Sequence, residues 1–89
     1  MPSYTLKILN EKGLHARASA KLVGVVEGFD ATAEISKDGL DASGDSIMGL
    51  LMLAAPIGTT IEVLTSGPEA AALGDAIGQL VADKFGEEC

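Results

Sequence analysis

The chain has 89 residues, a formal net charge of −7, one histidine, one cysteine and no tryptophan. This length supports one small domain over 1–89 with a single modest core, and an apolar share of 47% argues against disorder. The acidic balance argues against a nucleic-acid partner, because displacing counterions from a polyanion takes clustered Lys and Arg, and the scarcity of aromatics removes a stacking platform for single strands.

Tyr4, Leu6 and Ile8 alternate with Thr5 and Lys7, the period of a half-buried strand. Asn10-Glu11-Lys12-Gly13 reads as a turn. From Ala18 the period changes: Ala18, Leu22, Val25, Val26 and Phe29 form one helical stripe, and Gly28 stops it. Ala31, Ala33 and Ile35 restore alternation. Asp38-Gly39 is a hairpin signal, with Leu40 to Ala42 as the return strand. Ser46 stands as N-cap before a short helix, Ile47 to Leu53, which Pro56 and Gly58 close. Ile61 and Val63 mark a fourth strand. Ser66-Gly67-Pro68-Glu69 opens a last helix with Pro68 at the N1 position and an inner stripe of Leu73, Ile77, Leu80, Val81 and Lys84. The order is β-α-β-β-α-β-α, an α+β pattern in which helices cover one face of a four-stranded sheet.

The termini and apolar runs add exclusions. Met1-Pro2-Ser3-Tyr4 has no basic or apolar signal region, and the run from Ile47 to Pro56 is too short to span a bilayer. Cys89 has no partner for an internal disulfide, which suits a reducing cytoplasm. Its place after Gly86-Glu87-Glu88 reads as a frayed, exposed end without function.

The chemistry concentrates in Gly13-Leu14-His15-Ala16-Arg17, which holds the only histidine and the only arginine. Lys12 and Lys21 flank them. With a helix starting near Ala16, His15 sits at its N-cap. The free amides of Ala16, Arg17 and Ala18 then favour an anion on the ring, the helix dipole adding about 0.3–1 kcal/mol. The dipole also disfavours imidazolium and keeps the ring nucleophilic. Arg17 offers a planar fork for phosphoryl oxygens. A metal site is not expected, because one His and one terminal Cys are too few ligands. No glycine-rich mononucleotide loop or nucleophile elbow exists. On chemistry alone two readings stay open: a capping histidine on the surface, and an acceptor for a transferable phosphoryl group.

The motif Gly13-Leu14-His15-Ala16-Arg17 resembles the active-site signature of the HPr family of the phosphoenolpyruvate-dependent phosphotransferase system. Ser46-Ile47-Met48-Gly49 resembles that family's second motif, the regulatory serine region, at the usual separation. The resemblance spans essentially the whole chain. It implies an open-faced β-sandwich, with three helices on one face of a four-stranded antiparallel sheet. It implies a carrier rather than a free-standing enzyme: Nδ1 of His15 accepts a phosphoryl group from phosphorylated Enzyme I and passes it to an Enzyme IIA-type acceptor, with no cofactor. Arg17 contacts the group, and Ser46 is the target of HPr kinase/phosphorylase. A cytoplasmic monomer is expected. Ala18 stands where many members have proline, and Ala18-Ser19-Ala20-Lys21 is more like the nitrogen-related branch. Asp45 replaces a residue that is basic in other members.

The second helix has too many apolar residues for one buried side. Leu50 and Leu53, at i and i+3, face the core. Some of Ile47, Met48, Leu51 and Met52 then form an exposed docking patch beside His15, with Ala16 and Ala20 leaving room for a partner. The alternative functions are a regulatory interaction module that signals through Ser46 without carrier turnover, and a small domain that binds an acidic ligand through His15 and Arg17.

Overall fold

The computed structural model describes residues 2–88, so Cys89 lies outside the described residues. Its elements are β1 (Ser3–Lys7), α1 (Ala16–Glu27), β2 (Thr32–Lys37), β3 (Leu40–Ser43), α2 (Ile47–Leu53), β4 (Thr60–Ser66) and α3 (Ala70–Ala82), followed by a short turn at Lys84–Gly86. The predicted element order therefore holds.

The strands form one antiparallel sheet in the order β1-β4-β2-β3. The central register sets Val63 of β4 between Tyr4 of β1 and Ile35 of β2. Alternation then sends Ala33, Ile35, Ala42, Ile61 and Val63 to the helix-covered face, where all are buried. Thr32, Glu34, Thr60 and Glu62 face away and are exposed. This is the expected open-faced architecture: one side of the sheet carries the three helices and the other, Leu64 apart, is left polar.

α1 buries Ala18, Leu22 and Val26 as the stripe requires. Val25 and Phe29 are only half-buried, and Val23 takes an inner place instead. Val25 lies on the flank of the stripe, and Phe29 stands past the end of the helix. Asp38 and Gly39, with φ of 51° and 81°, make the left-handed turn that joins β2 to β3.

Two expectations for the last helix are corrected. Pro68 is not at N1, because α3 begins at Ala70 with Glu69 as its N-cap. Glu69 is committed elsewhere: its amide donates to the Asp30 carbonyl at 3.0 Å, and its Oε1 accepts from the Asp30 amide at 2.6 Å. That clamp on the α1–β2 connection fixes where the helix can start. At the other end the helix stops at Ala82, so Lys84 does not extend its stripe. Lys84, Phe85 and Gly86 instead turn through φ of 55°, 55° and 77°. Such a left-handed run costs about 1–2 kcal/mol per non-glycine residue. Burial of the Phe85 ring, wholly inside the core, offsets it. No helix among the described residues is long and apolar enough to cross a membrane.

Candidate functional site

The loop from Ile8 to His15 is built by backbone pairing with the segment after α2. The Ile8 amide donates to the Thr59 carbonyl and the Gly58 amide to the Ile8 carbonyl, both at 2.9 Å. The Leu14 amide donates to the Ala55 carbonyl at 2.9 Å, while the Leu14 side chain is buried. Gly13 makes this approach possible. Its φ is +65°, and a Cβ there would lie 2.3 Å from the Ala55 oxygen.

His15 follows as the N-cap of α1, with extended backbone and a partly exposed ring. Its Nδ1 accepts from the Arg17 amide at 3.3 Å. Its Nε2 meets Oε2 of Glu87, an acid from the far end of the chain. Oε1 of Glu87 accepts from Asn10 Nδ2 at 2.9 Å. Asn10 Nδ2 also donates to the Gly13 carbonyl at 2.8 Å. Asn10 is fully buried and its Oδ1 has no partner among the described residues. One asparagine thus braces both the loop before His15 and the acid against it.

The partners settle the chemistry of the ring. The bond from Asn10 holds the Glu87 carboxyl below its ordinary range; the His15 bond and nearby Lys12 act in the same sense, while partial desolvation opposes them. An ionised carboxylate only accepts, so Nε2 carries the hydrogen. Nδ1 then keeps its lone pair, turned toward the first turn of α1. No hydroxyl is among the His15 partners within the described residues, so a serine triad is not assembled.

Arg17 is exposed and, among the described residues, forms no ion pair. It lines a cleft of about 370 Å³ together with Lys12, Lys21 and Glu87. A smaller recess of about 220 Å³ is lined by His15 itself, with Lys12, Leu14 and Ala54–Pro56. A wider hollow, about 1000 Å³ beside Tyr4 and α3, contains none of these groups. The Arg17 cleft thus sets Lys12, Arg17 and Lys21 among Glu11, Glu87 and Glu88, beside the recess that holds His15.

Ser46 caps α2, its Oγ accepting from the Gly49 amide at 3.0 Å. Leu50 and Leu53 are buried, whereas Ile47, Met48 and Met52 are 41%, 71% and 76% exposed and Leu51 is half-buried. Ala16 and Ala20 are exposed on α1, which packs against α2.

Sequence reasoning missed Asn10 and Glu87. Asn10 reads there as a turn residue, and Glu87 has no role beyond preceding the frayed position of Cys89. The Glu87 side chain is instead only 15% exposed. The available signal was Phe85, a large apolar side chain within an acidic tail, which anchors the segment.

The family profile described as "PTS HPr component phosphorylation site" matches residues 2–83. The phosphocarrier protein HPr of Cupriavidus necator is 45% identical over 80 residues, 90% of each chain. The phosphocarrier protein NPr of Shewanella violacea is 46% identical over 80 residues, 90% of this chain and 88% of that one. The crystal structure of HPr-C-His from Thermoanaerobacter tengcongensis superposes with a TM-score of 0.95 at 31% identity, over all of both chains.

Proposed function

The chain belongs to the HPr family of phosphocarrier proteins of the phosphotransferase system, and we propose that it carries the phosphoryl group on Nδ1 of His15, taking it from phosphorylated Enzyme I and passing it to an Enzyme IIA-type acceptor. The observation that supports this most directly is the division of labour on the ring. Nε2 is engaged by Glu87, while Nδ1 keeps a lone pair at the mouth of α1. Nδ1 is the nucleophile; the Arg17 amide now on it, with its neighbours in the first turn, is placed to meet phosphoryl oxygens. Arg17 lies in the adjoining cleft, where its guanidinium can pair with the same oxygens.

The exposed side of α2 supplies docking. Ile47, Met48, Leu51 and Met52, with Ala16 and Ala20 on α1, form the surface that both partners use in turn. Met is suited to this because its unbranched chain adapts to different surfaces. Ser46 is the regulatory site, modified by HPr kinase/phosphorylase. A phosphate there adds about −1.5 to −2 charges at the start of α2, next to that surface.

The test is incubation with Enzyme I and phosphoenolpyruvate. An acid-labile, base-stable phosphoryl adduct that is absent from His15→Ala is the expected result. A protein that gains no adduct, but is stabilised by an acidic ligand, would overturn the carrier reading.

A further inference from the structure

We propose that Glu87 is a positioning residue for phosphoryl transfer at His15, holding the ring in its Nε2–H tautomer and balancing the positive charge the ring acquires when Nδ1 takes the phosphoryl group. This rests on the reading of His15 as the acceptor.

The electron balance assigns the role. The Nδ1 lone pair forms the N–P bond, and the bond from phosphorus to the donor's carrier atom breaks with its pair leaving on the donor. No proton needs to move. Nε2 keeps its hydrogen, so the ring becomes a phosphoimidazolium with one positive charge. Glu87, already ionised and already accepting from Nε2, neutralises that charge in place. In the onward step the N–P bond breaks and its pair returns to Nδ1, which restores the neutral ring. Retaining the Nε2 hydrogen keeps the imidazole a good leaving group. The logic is that of an orienting carboxylate behind a catalytic histidine.

Three contacts and a backbone turn deliver this one carboxylate. Phe85 is fixed in the core, and the left-handed turn at Lys84–Gly86 redirects the chain toward α1. Lys21 Nζ donates to the Phe85 carbonyl at 2.6 Å. Asn10 then holds Oε1, leaving Oε2 for the ring. A frayed tail would not need a buried asparagine committed to it. Lys12, Arg17 and Lys21 line the same cleft as positive groups, and Glu11 and Glu88 as negative ones, so the local field is mixed and the directed bond matters most.

The experiment compares the wild-type chain with Glu87→Gln, Glu87→Ala and Glu87→Asp, with backbone NMR shifts to show that each variant is folded. Ring nitrogen NMR of the unphosphorylated proteins reads the tautomer. The wild type is expected to show Nε2–H almost alone, and Glu87→Ala a mixture. Phosphoryl transfer from Enzyme I, followed against pH, is expected to fall by about tenfold in Glu87→Ala, in the direction of the far larger loss when a triad carboxylate is replaced. The loss should grow on the alkaline side, where nothing then retains the Nε2 hydrogen. Glu87→Gln, an acceptor without charge, should keep the tautomer but lose the transfer rate, and Glu87→Asp should recover part of it. An unchanged tautomer ratio together with an unchanged pH profile in Glu87→Ala would overturn the proposal. A wild-type protein that takes no phosphoryl group from Enzyme I would instead overturn the His15 reading beneath it.

Discussion

Lys21 Nζ donates a hydrogen bond to the Phe85 carbonyl at 2.6 Å, so a side chain of α1 stitches down the turn that carries Glu87. The site therefore depends on two ends of the chain being held together: α1, with His15 at its mouth, and the segment after α3. Phe85 supplies the apolar half of the attachment and Lys21 the polar half.

Removing either half has a distinct signature. Phe85→Ala should lower stability by about 3–5 kcal/mol, the usual cost of emptying a buried aromatic site. Lys21→Met keeps the stem and loses the donor, and should cost about 1 kcal/mol. Urea denaturation measures both. In the Lys21 variant, hydrogen exchange at the Glu87 amide, which bonds the Lys84 carbonyl, should also quicken.

The Glu87 carboxyl makes stability depend on pH. Its value in the folded chain lies below the ordinary 4.5, chiefly through the Asn10 bond. Above 4.5 the folded form therefore has its full advantage, and that advantage is lost as pH falls through the depressed value. Denaturation of the wild type and Glu87→Gln across this range should show a difference that is constant near neutrality and vanishes in acid. A difference that grew on acidification would contradict the assigned ionisation.

The elements were legible because their signals are local. Alternation in Tyr4-Thr5-Leu6 and Ile61-Glu62-Val63, the stripe from Ala18 to Val26, the Asp38-Gly39 turn and the Ser46 cap each need fewer than ten neighbouring residues. His15 and Arg17 stood out through rarity and spacing. What stayed hidden is long-range. The order β1-β4-β2-β3 is set by which faces meet, and no residue announces it. Glu69 caps α3 with its backbone alone, its side chain being spent on Asp30, 39 residues away. Glu87 is 72 residues from His15, and tertiary contacts of Phe85, Lys21 and Asn10 bring it there.

Gly13 tests how tightly the loop sets the imidazole. A methyl group there would meet the Ala55 oxygen at 2.3 Å and the Pro56 Cα at 2.9 Å, on a backbone with φ of +65°. Both obstacles are backbone, so the loop must move and the Leu14–Ala55 bond must lengthen. Gly13→Ala should cost about 1–3 kcal/mol through strain alone. It should also slow phosphorylation by Enzyme I more than the loss of folded protein accounts for. Single-turnover rates on the folded fraction separate the two effects.

Ala54 is a position where the native residue is not the best one. It ends α2 in the left-handed conformation, with φ of 50° and ψ of 48°, while its amide bonds the Leu51 carbonyl. Glycine adopts that conformation without a Cβ penalty. Ala54→Gly should therefore raise stability by about 1 kcal/mol, seen as a higher urea midpoint with an unchanged slope. Lys37, which donates to the Leu53 carbonyl at 3.1 Å, holds the same helix end and is unaffected.

Ser46 separates a structural role from a regulatory one. Its hydroxyl accepts from the Gly49 amide, so Ser46→Ala removes a cap and should cost about 1 kcal/mol of stability. Ser46→Asp keeps an acceptor at the same place and adds a negative charge that the start of α2 tolerates. The aspartate variant should thus stay close to wild type in melting temperature. On the regulatory reading it should nevertheless accept phosphoryl groups from Enzyme I more slowly, because the new charge stands beside exposed Ile47 and Met48. Alanine would then destabilise without slowing transfer, and aspartate would slow transfer without destabilising. Equal transfer rates for wild type and Ser46→Asp would leave Ser46 as a helix cap and nothing more.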